Sequence, residues 1–174
     1  MDIFDILGPV MVGPSSSHTA GAARIGKMAR TLLGGEPMEA RIHLHGSFAE
    51  TGSGHGTDRA LVAGLLGMNP DDMRIPFAFQ EAEKAGLHFT VDKIDLRDAH
   101  PNTAVIEVRD AHGKQLELQA ASIGGGRIVV ISWTALTSAS PETTTRWWSA
   151  TTMKTVLWPP SPPSSASCGS TWPI

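Results

Sequence analysis

Several things are scarce in this chain, and each scarcity removes a class of function. Cysteine occurs once in 174 residues, as Cys168, which leaves no disulfide framework and no set of thiolates able to hold a metal cluster within the chain. Positive charge is not in excess: 14 Lys and Arg stand against 17 Asp and Glu, with no basic stripe, which argues against a nucleic-acid partner. No apolar run approaches the ~20 residues of a membrane span. The opening "MDIFDILGPVMVG" begins with an acid and lacks a basic leader, so it does not read as a signal peptide and a cytoplasmic protein is expected. Tyrosine is absent, and all five tryptophans fall at or after position 133.

That last asymmetry divides the chain. Up to "GGGRIVVIS" charges, aliphatics and glycines mix as in a globular domain. From Ser132 onward half the prolines and all the tryptophans appear, with Glu142, Arg146 and Lys154 as the charges. The segment has neither helical nor strand periodicity, and its prolines break regular structure. Linkers rarely carry so much tryptophan. Tracts such as "PETTTRWWSATTMKT" read as GC-rich coding sequence out of register. We therefore expect a domain over 1–131 and an aberrant Ser/Thr/Pro/Trp-rich tail over 132–174, without order or function.

Within 1–131, "TAGAARIGKMARTLL" puts Ala22, Ile25, Met28, Ala29, Leu32 and Leu33 on one helical face and stops at a Gly-Gly pair. Ser17, His18 or Thr19 is expected at its N-cap. "EARIHLHGSF" alternates like a half-buried strand, and "AETGSGHGTD" reads as a glycine-rich loop. "TDRALVAGLLGM" reads as a helix capped by Thr57 or Asp58, and "FAFQEAEKAG" as another. "LHFTVDKIDL", "TAVIEVRD" and "KQLELQAASIGGGRIVVI" read as strands, the last two joined by "DAHG". The order implies an α+β fold with a mixed or antiparallel sheet packed with helices.

Three loops carry polar chemistry. "GPSSSHT" combines a turn, three hydroxyls and a helix N-terminus, a place for a carboxylate or phosphate. A histidine there is kept neutral and suits a general base, or the group is simply a cap with an incidental His18. The second loop, Gly46 to Asp58, offers Ser47, Thr51, His55 and Thr57 among glycines, or is merely a connector. "DAHPNTA" offers His100, Asn102 and Thr103, or a plain turn. His43 and His45 share a strand face, as two metal ligands or as part of a solvated face. A Ser–His hydrolase is disfavoured: no G-x-S-x-G elbow exists and adjacent residues place a base poorly. "GAARIGK" lacks the Ser or Thr that a phosphate loop needs.

Together and in this order, "GPSSSHTAGAARIG", "GSFAETGSGHGTDRA" and "HPNT" resemble the β chain of the iron–sulfur-dependent L-serine dehydratases (L-serine ammonia-lyases). The opening "FDILGPVMVGPSSSHT" and "GGGRIVV" fit as well, so the resemblance covers 1 to about 131. It implies a domain similar to the allosteric substrate-binding domain of phosphoglycerate dehydrogenases. A small ACT regulatory domain would normally follow, and here the tail stands in its place. It implies conversion of L-serine to pyruvate and ammonia, with a [4Fe–4S] cluster whose cysteines belong to a catalytic α chain and which acts as Lewis acid on the substrate hydroxyl. The partner implied is that α chain in a hetero-oligomer; the isolated chain would be inactive, and no metal ligand is assigned to it. Carried over residue by residue, His18 and His55 are the acid–base candidates, His55 as the base and His18 orienting or assisting. Ser15, Ser16, Ser17 and Thr19 would hold the carboxylate, with Ser47, Thr51, Asp58 and Asn102 as further substrate-binding candidates; Asp58 orients His55 or only caps its helix. Two other readings stay open: a binding module holding serine or another anion without chemistry, and an inactive fragment.

Overall fold

The computed structural model describes residues 10–136. Its scaffold is one five-stranded sheet with helices on one face. In chain order the elements are a π-turn (Ser16–Gly21), α1 (Ala22–Leu33), β1 (Pro37–Leu44), α2 (Ser47–His55), α3 (Thr57–Leu65), a short 3-10 turn (Ile75–Phe77), α4 (Ala78–Ala85), β2 (His88–Lys93), β3 (Thr103–Asp110), β4 (Gln115–Gly124) and β5 (Arg127–Leu136). The strand order is β2-β1-β3-β4-β5. β1 and β2 are parallel and every other pairing is antiparallel, so the sheet is mixed and the fold is α+β. Among the described residues no helix is long and apolar enough to cross a membrane.

Strand alternation sends one set of side chains to the helices. Ala40, Val108 and Leu116 form one cross-strand row, and Ile42, Ile106 and Leu118 the next; all are buried. Against them lie Ile25, Ala29 and Leu33 of α1 and Leu61, Val62 and Leu65 of α3. α1 and α3 cross with their backbones nearly touching. A Cβ on Gly26 would lie 2.1 Å from the Leu61 carbonyl oxygen, and one on Gly64 would lie 2.1 Å from that of Ala23. Only glycine at both positions permits this crossing. Arg24 reaches across to donate to the Gly126 carbonyl at 2.6 Å, tying α1 to the β4–β5 turn.

Three expectations need correction. The glycine-rich stretch is not a loop: α2 runs through it. Phe48, fully buried, anchors that helix, and its start is fixed where the Phe48 N–H donates to the Pro101 carbonyl at 3.4 Å. Tertiary anchoring thus overrides weak helix propensity. Gly46 makes the corner with φ 55° and ψ −125°, and a Cβ there would strike Pro101. "KQLELQAASIGGGRIVVI" is not one strand but a hairpin, turned by glycines with positive φ at 124, 125 and 126. Finally, the first helical coil begins at Ser16, before the expected cap, and the cap is Ser15.

β5 also runs across the compositional break. Trp133 and Ala135 lie in register with Leu118 and Leu116 and pack against the core. The remainder of the expected tail, 137–174, lies outside the described residues.

Candidate active site

The first polar loop is shaped by Ser15. It sits in extended conformation (φ −136°, ψ 123°), and its Oγ accepts from the His18 backbone N–H at 3.2 Å. Beyond it the chain winds as a wide π-turn before tightening into α1, the kind of local widening that often marks a functional position. The cap and the turn bring two hydroxyls and one imidazole to the same spot. Ser17 Oγ lies 3.0 Å and Ser15 Oγ 3.4 Å from His18 Nδ1. The two serine oxygens are 3.2 Å apart.

The other ring nitrogen reaches the second polar stretch. His18 Nε2 is 3.1 Å from Ser47 Oγ, 29 residues along the chain at the first position of α2. Phe48 packs edge-on against the imidazole, with centroids 5.3 Å apart. At the far end of α2 the ring of His55 comes within 5.5 Å of that of His18. α2 therefore acts as a bracket: its first residue holds His18 and its last supplies the second imidazole. Thr19 ties the two stretches from beneath, buried, its hydroxyl donating to the His55 carbonyl at 3.4 Å.

Burial in this cluster pushes the His18 imidazole below the ordinary histidine value; the neighbouring His55 adds to the effect, and a hydrogen bond with the Ser47 backbone opposes it. His18 is therefore neutral at neutral pH. His55 is exposed, and among the described residues no hydrogen bond occupies its ring.

The remaining candidates have other attachments. Thr51 donates to the Ser47 carbonyl at 2.7 Å within α2. Asp58 accepts from the N–H of Arg59 at 2.8 Å, and no hydrogen bond among the described residues joins it to His55. α3 begins without a side-chain cap, so neither Thr57 nor Asp58 plays the capping role that the sequence suggested. Asn102 donates to the Ser122 carbonyl at 3.4 Å, on the strand beneath the π-turn. Ser16 opens the π-turn, half-buried. His43 and His45 go separate ways, one to Glu107 at 3.6 Å and the other to Asp95 at 3.7 Å, so they do not form a metal pair. Two participants escaped the sequence reading. Phe48 is one, hidden because it ends the alternating run "EARIHLHGSF", which reads as a strand. Ser122 is the other: a Cβ on Gly21 would lie 2.1 Å from its Oγ, a proximity that no local pattern announces. The hydroxyls of Ser122 and Thr57 are buried without partners among the described residues.

The same stretches carry the similarity to known proteins. The family model described as serine dehydratase beta chain matches residues 1–93, more than half of the chain. The chain belongs to the serine dehydratase beta chain family. It is 53% identical over 128 residues to a probable L-serine dehydratase beta chain of Bacillus subtilis, covering 74% of this chain and 58% of that protein. It is 45% identical over 130 residues to the L-serine dehydratase beta chain of Peptoniphilus asaccharolyticus, covering 74% and 59%. A longer L-serine dehydratase of Streptomyces coelicolor is 38% identical over 140 residues, with 30% of its length covered. The chain thus spans less than two thirds of the beta chains it matches.

The iron–sulfur cluster implied by the resemblance can be tested against the donors present in this family member. The site offers hydroxyls and two imidazoles, and among the described residues no three His, Cys, Asp or Glu side chains come together as ligands. Clusters of this kind are held by thiolates, and the single cysteine of the chain cannot supply a set. These residues do not fit the cluster. What the arrangement can do is hold an anion on hydroxyls at a helix start and exchange a proton through an exposed imidazole.

Proposed function

We propose that this chain is the β subunit of an L-serine ammonia-lyase, acting in the cytoplasm with an α chain that carries the [4Fe–4S] cluster. The observation that carries this reading is the meeting of His18 and His55, 5.5 Å apart beside the serine hydroxyls. Ser15, Ser16 and Ser17 hold the substrate carboxylate at the start of the π-turn, and Thr19, Ser47, Thr51 and Asn102 shape the surrounding wall. His55 is the base: its ring is exposed, while both nitrogens of His18 are engaged by hydroxyls. It takes the α-proton; the Cα–H electron pair forms the Cα–Cβ double bond as the Cβ–O bond breaks, and the proton held by His55 goes to the departing hydroxyl, which leaves as water. The enamine left behind tautomerises to an imine, which water hydrolyses to pyruvate and ammonia. His18, held neutral, orients the substrate without adding a second positive charge beside a protonated His55. Asp58 contributes to the polarity around His55. This chain's part is confined to the carboxylate and the proton; further assistance to hydroxyl departure belongs to the α chain. The longer Streptomyces relative supports such a division, since the part matching this chain is 30% of it.

The test is anaerobic co-expression with the α chain, assayed for pyruvate from L-serine. For His55→Asn we expect kcat to fall by ~10²–10⁴ with cluster absorbance and assembly unchanged. Undiminished turnover with an altered response to serine would favour a binding module instead.

A further inference from the structure

The helices cover only one face of the sheet. The other is bare among the described residues, and the strand register arranges its side chains in rows. In one row His88, Glu39, Arg109 and Gln115 run across β2, β1, β3 and β4. In the next, Thr90, Arg41, Glu107 and Glu117 do the same. The four central charges form a checkerboard, with sign alternating both along and across β1 and β3.

Within one chain this pattern is poorly used. Glu39 and Arg109 approach to 3.7 Å but remain 62% and 49% exposed. Glu107 turns to His43 at 3.6 Å, and among the described residues Arg41 has no ion pair. Glu117 stands in register beside Glu107, a like-charge neighbour that disfavours the isolated face.

A checkerboard is, however, its own complement. Turn a second copy over about a two-fold axis that runs along the strands between β1 and β3. β1 then lies on the partner copy's β3, and β2 on its β4. Glu39 meets Arg109, Arg41 meets Glu107, Thr90 meets Glu117 and His88 meets Gln115, each twice, with no like charges opposed. We propose that this sheet face joins two copies of the chain in an isologous dimer. The near balance of charge on the face favours a second copy over a strongly acidic or basic partner. His18 and His55 lie on the π-turn and α2, off this face, so the dimer leaves them accessible to a different chain.

The experiment is sedimentation velocity of the full chain across a concentration series, at low and high salt. The expected result is a monomer–dimer equilibrium that weakens with salt. Arg41→Glu and Glu107→Arg, each alone, should raise the dimer Kd at least roughly tenfold. An equimolar mixture of the two should dimerise again, because each cross-copy contact then pairs opposite charges while both chains keep a like-charged pair internally. Thr90→Lys should tighten the dimer and Thr90→Glu loosen it, substitutions at an exposed position that leave the core untouched. A monomer at every concentration would overturn the proposal. So would a dimer indifferent to the Arg41, Glu107 and Thr90 changes, or a mixture of folded single variants that stays monomeric.

Discussion

At the scale of single residues, His18 is the group whose environment sets a measurable pH dependence. Its folded-state pKa lies below the unfolded value because burial and His55 penalise the imidazolium. Between the two values the unfolded chain binds more protons than the folded one, so stability rises with pH through that window. Acidification from neutrality through the ordinary histidine range near ~6.5 should therefore lower Tm, and the His18 contribution should level off below its own depressed value. His18→Asn is expected to flatten this part of the profile, as thermal melts across pH would record. Ser47 makes a companion case. Its backbone holds the pKa of His18 up while its hydroxyl meets Nε2, so Ser47→Ala should leave His18 shifted in the same direction in an NMR series and cost about 0.5–1.5 kcal/mol of stability through the lost hydroxyl contact. The sequence revealed the two histidines as separate candidates; it could not show their meeting. Between them lie the rest of the π-turn, α1, β1 and most of α2, and the convergence depends on the length and direction of α2, whose glycines read as a loop in the sequence.

At the scale of elements, glycine has opposite meanings in two helices. Gly64 of α3 lies against the backbone of α1, where an added Cβ would sit 2.1 Å from the Ala23 oxygen. Gly64→Ala should destabilise by about 1–3 kcal/mol through forced separation of the helices. Gly54 of α2 is helical, and a Cβ there would meet nothing within 4 Å. Gly54→Ala should instead stabilise by about 0.5–1 kcal/mol, because it removes backbone freedom from the unfolded chain. Denaturant titrations of the two variants should thus move in opposite directions. The contrast also explains what could be read from sequence. α1 and α4 show apolar spacing that matches their buried faces, α3 is a continuous apolar run buried from Ala60 to Leu65, and β1 from Ala40 and β3 from Ala104 alternate. α2 has two internal glycines and owes its existence to Phe48 in the core and to the Pro101 carbonyl at its start. Those are long-range contacts that a local pattern does not contain. The β4–β5 corner failed for another reason: its glycines sit inside one apolar run, without the polar turn residues that flag "DAHG".

At the scale of the whole molecule, the question is where the domain ends. Composition places the boundary after residue 131, but packing carries the fold to Ala135, because Trp133 and Ala135 continue the inner face of β5 in register with β4. A half-buried tryptophan on a core row is not incidental: it stands in register with Leu118 and packs against the core. Two truncations separate the composition from the packing. Ending the chain after Val130 or Ile131 strips half of β5 and should cost at least about 2 kcal/mol, the order expected for losing a large apolar side chain from partial burial. Ending it after Leu136 keeps every packed residue of the strand, and Tm and the turnover reconstituted with the α chain should stay at the level of the full chain. Equal melting of both truncations would place the boundary at the compositional break. A loss of turnover in the longer one alone would assign a role to residues 137–174, against the expectation that they have none.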